Sequence, residues 1–176
     1  MRASTPLLMV FFSAAALPTA WAEDTCTDFK WDVSKERALY KTAPTPLKAG
    51  TDAKTAPTVT PDTLYQIQLA AQKSVTFVIE PGRQSRSESD HAGVAVLKLP
   101  TSGAYRIALD MPLWIDVVAN ATLVPAKDFQ GQHDCSAPHK IVEFDLVNDQ
   151  TLTLQLSSSV ADSVRVSVTA SPARKL

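Results

Sequence analysis

The residues of this chain that could do chemistry are few and scattered. Three histidines, His91, His133 and His139, could supply imidazole ligands. A hydrolytic or oxygen-activating metal site commonly uses two or three imidazoles and a carboxylate. His133-Asp134 and His139 flank Cys135, while Glu88, Asp90 and His91 share one loop. Two readings stand side by side: a surface metal site on His133, His139 and a carboxylate, or polar residues in two loops. No His-x-x-x-His spacing accompanies them. The Gly-x-Ser-x-Gly pattern of a serine nucleophile is absent, and Ser89, Asp90 and His91 are adjacent, where neighbouring side chains rarely converge into a relay. No Gly-rich phosphate loop precedes a helix, so nucleotide binding has no support. Catalytic residues and cofactors are therefore expected to be none, with the His133/His139 metal-dependent enzyme kept as the alternative.

The two cysteines, Cys26 and Cys135, and the amino terminus indicate where the chain works. Arg2 precedes an apolar, uncharged run over residues 6–16, Pro18 breaks it, and Ala20-Trp21-Ala22 offers a cleavage site. This is the pattern of a secretory signal peptide over residues 1–22, too short to span a bilayer as a helix. Export implies an oxidising compartment, where two cysteines pair by default. A Cys26–Cys135 bridge would pin the amino-terminal segment to the rest. The chain carries 17 basic and 18 acidic residues, a net charge of −1, and loses Arg2 with the leader. That balance gives no footprint for nucleic acid or an anionic membrane, and no later stretch is apolar enough to span a membrane.

The elements that must position any site come in blocks. Residues 23–40 read as a short helical segment in which Asp32 caps the stretch from Val33 to Tyr40, with Phe29, Trp31 and Leu39 needing a docking surface. Residues 41–62, with Pro44, Pro46, Pro57 and Pro61, read as an extended connector without a core of its own. From residue 63 to 170 the apolar period becomes two. Eight or nine short strands are predicted around Tyr65–Leu69, Val75–Ile79, Val94–Leu99, Tyr105–Leu109, Leu113–Val117, Ala121–Val124, Val142–Leu146, Leu152–Leu156 and Val164–Val168. This implies an all-β antiparallel sandwich of one domain, followed by a tail over residues 171–176. Residues 80–91 form a polar loop, either solvated or used in recognition, and Asn120-Ala121 marks a turn.

Two pairings follow from the alternation. A three-residue turn at Asp110-Met111-Pro112 sets Leu109 opposite Leu113, Ile107 opposite Ile115 and Tyr105 opposite Val117 as the core face. The other face then pairs Arg106 with Asp116 and places Trp114 beside Ala108. Trp114, Arg106 and Asp116 become the candidate ligand-binding residues, an aromatic platform with a flanking base and acid. The competing reading has the amino-terminal segment cover Trp114 and Val118 as a second apolar patch. In a carboxy-terminal hairpin, Phe144 and Leu154 are expected on one side, Glu143 and Gln155 on the other, with Phe144 and Glu143 differing in burial.

Tyr65-Gln66-Ile67-Gln68-Leu69, the strand before Pro100 and Ser102-Gly103-Ala104-Tyr105-Arg106-Ile107 together resemble the bacterial pre-peptidase C-terminal domain, a secreted β-sandwich found beside many exported hydrolases. Cys26…Phe29-Lys30-Trp31 with Glu36-Arg37-Ala38, Trp114-Ile115-Asp116-Val117-Val118 and Cys135…Lys140-Ile141-Val142-Glu143-Phe144 resemble small periplasmic proteins of proteobacteria. The first resemblance implies a fold and a secreted accessory role; the second implies no activity. The expectation is a periplasmic or secreted, non-enzymatic binding or accessory module for a protein or glycan, or else a structural envelope component docking on another protein.

Overall fold

A computed structural model describes residue 26 and residues 29–85, 87–132 and 134–172. The expected signal peptide, the end of the carboxy-terminal tail, Arg86 and His133 lie outside the described residues. A short helix, α1 (Ser34–Leu39), precedes twelve strands: β1 (Thr45–Lys48), β2 (Thr58–Val59), β3 (Leu64–Gln68), β4 (Ala70–Ala71), β5 (His91–Leu97), β6 (Gly103–Leu109), β7 (Trp114–Ala119), β8 (Thr122–Val124), β9 (Asp128–Gly131), β10 (Lys140–Leu146), β11 (Leu152–Ser159) and β12 (Ser163–Ala170). They form two sheets. Sheet A has the order β1-β3-β12-β6-β10-β9; sheet B has β2-β5-β11-β7-β8, with β4 also pairing β5. Both are mixed, because β1 runs parallel to β3 and β2 parallel to β5.

One apolar layer joins the sheets. Ile67, Ile107, Phe144 and Val166 from sheet A meet Leu97, Val117 and Leu154 from sheet B in a single buried cluster. The period-two alternation therefore identified inward residues on six of the nine predicted strands, those that became β3, β6, β7, β10, β11 and β12. At β5 the inward set is Ala95, Leu97 and Leu99. Gly93 continues that parity, and a Cβ there would lie 2.3 Å from the Ala49 Cβ, so the close approach requires glycine. Asn120 (φ 48°) and Ala121 (φ 57°) make the tight turn between β7 and β8, as the sequence suggested.

Three expectations are corrected. The predicted Tyr105–Val117 hairpin does not form: β6 pairs with β10 and β12 in sheet A, whereas β7 pairs with β11 and β8 in sheet B. The chain crosses between sheets at Asp110, whose carboxylate is held by the Arg165 backbone N–H (2.9 Å) and Nε (2.8 Å) on β12. An arch and a hairpin bury the same alternate residues, so parity alone cannot separate them. The same holds for β10 and β11, which also lie in different sheets. Phe144 and Leu154 do point into the common interior, but Phe144 and Glu143 are equally buried, both 2% exposed, because the outer face of sheet A is covered as well. Finally, residues 41–62 are more than a connector. They supply edge strands to both sheets, and Ala49 and Val59 enter the core.

The amino-terminal segment covers sheet A. Cys26 and Cys135 are disulfide-bonded, with Cα atoms 5.4 Å apart. The Asp32 carboxylate accepts the Ser34 N–H (2.9 Å) at the start of α1, and hydrogen bonding from the Ser34 side chain, then from its N–H, holds the Asp32 pKa below the usual carboxylate range. Val33 and Tyr40, with Phe29 and Trp31, pack on Leu64, Ala108 and Ile141.

Candidate functional site

Sheet B is covered by a different kind of segment, a long loop over residues 72–90. Its base is closed by β4–β5 pairing (Ala71 opposite His91) and by the Gln72 N–H donating to the Asp90 carbonyl at 2.8 Å. Loops of this length without a sheet of their own are uncommon and usually functional. Val75, Phe77 and Ile79 alternate as predicted, half-buried between exposed Thr76 and Val78, but no strand forms there. The segment lies across the outer face of the sheet, and Gln155, fully buried on β11, takes the place of a partner strand. Its Oε1 accepts the N–H groups of Val78 (2.8 Å) and Ile79 (3.3 Å), and its Nε2 donates to the Ile79 carbonyl (3.0 Å). A buried amide so placed satisfies three backbone groups that would otherwise be costly to desolvate.

Asp116 and Trp114 hold the far half of the loop. One Asp116 carboxylate oxygen accepts the Trp114 Nε1–H (3.0 Å) and the other accepts the Gly82 N–H (3.0 Å). A Cβ on Gly82 would lie 3.2 Å from both the indole nitrogen and Asp116, a tight fit that these side chains could accept only by shifting. Across the indole, the Lys140 ammonium stands 5.3 Å from the ring centroid and donates to the Leu113 carbonyl at 3.0 Å. Burial pushes the Lys140 pKa below the usual lysine range, and the nearby Asp116 charge opposes that shift. The tip of the loop is fixed by Asp90, 3% exposed, which accepts the Ser85 hydroxyl (2.7 Å) and the Ser87 N–H (3.3 Å).

Three clefts flank this region. A cleft of about 740 Å³ opens along Phe77, Glu80, Ser85 and Glu88. A second, about 250 Å³, is lined by Arg83, Leu113, Trp114, Lys140 and Val160. A third, about 240 Å³, runs along Phe129, His139 and Lys140. Together they combine apolar walls with charged groups.

The structure divides the predicted trio. Trp114 and Asp116 belong to this face of sheet B, but Arg106 does not; it lies on the outer face of sheet A, under the amino-terminal segment. There its Nε donates to Glu143 (3.2 Å), its Nη1 donates to the Asp32 carbonyl (2.8 Å), Glu36 lies 3.7 Å away, and the Trp31 ring is 4.6 Å from the guanidinium. Cross-strand charge pairing does occur for Arg106, with Glu143 as its partner in place of Asp116. The amino-terminal segment therefore covers Arg106 and Ala108, while Trp114 lies on the outer face of sheet B, beside Gly82 of the 72–90 loop. Of the histidines, His139 Nδ1 lies 3.1 Å from the Cys135 carbonyl, and among the described residues no three His, Cys, Asp or Glu side chains group as for a metal.

Lys140, Gln155 and Gly82 were not among the candidate site residues read from the sequence. A glutamine between Leu154 and Leu156 was the available signal for Gln155, since a polar residue in so apolar a strand needs a partner. Nothing local marks Lys140, which reaches Trp114 from the other sheet. No protein-family model, no curated protein and no solved structure matches this chain.

Proposed function

We propose that this chain is an exported, non-enzymatic binding module of the bacterial envelope, whose partner, a protein or a glycan, meets the Trp114 side of sheet B. The observation that carries the reading is the contrast between a rigidly buried sheet A face and a sheet B face roofed by a pinned but cleft-bearing loop. The disulfide suits an oxidising compartment and so favours the periplasm or the exterior. The frequent passage of successive strands between sheets favours an architecture of the pre-peptidase C-terminal, jelly-roll-like kind.

The test is a paired screen of the purified protein, by glycan array and by pull-down from envelope extract with the captured proteins identified. Trp114→Ala and Arg83→Ala variants with unchanged melting temperature serve as controls. A glycan or protein bound by the parent and lost by both variants supports the reading. Equal binding by all three, or turnover of a captured ligand, overturns it.

A further inference from the structure

The two smaller clefts adjoin, because Lys140 lines both. On one side of it stands Phe129, 70% exposed, and on the other Val160, 78% exposed, the two most exposed large apolar side chains among the described residues. Phe129 lies on β9, the edge strand of sheet A, and Val160 follows β11 in sheet B, so the joined groove crosses from one sheet to the other.

The charges in this groove are not balanced towards solvent. Asp116 is turned onto the Trp114 Nε1–H and the Gly82 N–H, and Asp90 is buried on Ser85 and Ser87. Neither Arg83 nor Lys140 has a carboxylate within ion-pair distance among the described residues. The cations line the groove while the nearby acids are occupied on its wall. A half-buried ammonium whose hydrogen bond goes to a carbonyl is underpaired, and an incoming carboxylate would offset its desolvation.

We propose that this groove binds an extended peptide segment with a carboxylate between two apolar side chains, the carboxylate meeting Lys140 and Arg83 and the apolar groups packing on Phe129 to one side and on Trp114 and Val160 to the other. A peptide fits better than a saccharide, since one face of the indole is taken by Lys140 and its N–H by Asp116, leaving neither free for sugar stacking or hydroxyl recognition. The proposal rests on the binding-module reading and adds the chemistry of the partner.

The experiment uses fluorescence anisotropy with two labelled hexapeptide sets, blocked at both ends. In one set a fixed Glu is flanked by randomised apolar residues; in the other, Gln replaces that Glu. The parent protein is expected to bind the Glu set about tenfold or more tightly than the Gln set, with the difference shrinking at high salt. Lys140→Met should erase the Glu preference, Lys140→Arg should keep it, and Phe129→Ser, at a mostly exposed side chain, should weaken both sets. Equal binding of the two sets, or a Glu preference surviving in Lys140→Met, overturns the proposal. If neither peptide set binds but a glycan binds through Trp114, the proposal fails while the binding-module reading stands. Failure of peptides, glycans and envelope proteins alike removes both.

Discussion

The two outer faces of this protein are both covered, but by different physics. Over sheet A the cover is an apolar plug, Trp31, Val33 and Tyr40 on Leu64, Ala108 and Ile141, fastened covalently by Cys26–Cys135 and ionically by Arg106. Arg106, Glu36 and Glu143 are no more than 5% exposed, so their charges depend on one another. Over sheet B the cover is a loop held by hydrogen bonds: the Gln155 and Asp116 side chains bond its backbone, the Thr76 N–H donates to the Thr51 carbonyl, and the Gln72 side chain accepts the Ser158 N–H. It buries little of its own apolar surface and leaves clefts at its margins. A cover that completes a core resists displacement, whereas one suspended from a few polar bonds opens at low cost. Recognition is therefore to be sought over sheet B.

The largest test of this contrast removes the covalent fastening. The Cys26→Ser, Cys135→Ser double variant loses a cross-link between residues 109 apart in sequence, for which chain entropy sets an upper estimate of about 4–5 kcal/mol. Hydrogen exchange should quicken first in residues 29–42 and leave residues 72–90 unchanged. Equal loosening of both covers would show that the two faces are not independent. Next in size, Arg106→Met leaves Glu36 and Glu143 buried without their cation and should cost about 3–5 kcal/mol in urea unfolding. A loss below about 1 kcal/mol would mean that the ion cluster does not hold the cover.

The same contrast explains what could be read from the sequence. The inward residues of β3, β6, β7, β10, β11 and β12 were legible, because apolar alternation reports burial whatever the pairing partner. So were the disulfide and the Asn120-Ala121 turn, which rest on local chemistry. The partners of each strand were not legible: an arch places Tyr105 and Val117 in one core as well as a hairpin does. Arg106 and Asp116, taken as a pair, therefore fall on opposite outer faces. Val75, Phe77 and Ile79 carried a true alternation, but the group they bond to is the side chain of Gln155, which no periodicity announces. The Trp114 corner was half legible, since Lys140 reaches it from a distant strand.

A smaller effect should follow from Gln155→Leu, which keeps the volume but removes the three hydrogen bonds to Val78 and Ile79. The expected cost is about 1–3 kcal/mol, with those two amides losing exchange protection while the sheet A cover keeps its own. If Val78 and Ile79 stay protected, the loop is held by something other than Gln155 and the suspended-cover picture fails.

The finest test is a difference in alkaline behaviour between the two faces. Tyr40, in the sheet A cover, donates its hydroxyl to the Arg165 carbonyl at 3.0 Å. Burial raises its pKa well above 10.0; Asp110 adds to the shift and the Arg165 charge opposes it. Above that ordinary value the unfolded chain gives up this proton while the folded one keeps it, so stability falls as pH rises. Lys140, at the sheet B corner, has the opposite sign. Its folded pKa lies below the ordinary 10.5, so in the interval between the two the unfolded chain binds more protons and stability rises with pH. Tyr40→Phe should cost about 1 kcal/mol at neutral pH through the lost hydrogen bond and then lose less stability than the parent above pH 10. Lys140→Met should lack the parent's rise below that point. The measurement is the urea midpoint of each protein across the alkaline range, taken as a difference from the parent so that the other tyrosines and lysines cancel. Parallel curves for Tyr40→Phe and the parent would show that the phenol is not sealed by the cover, and the distinction between a closed sheet A face and an accessible sheet B face would lose its chemical basis.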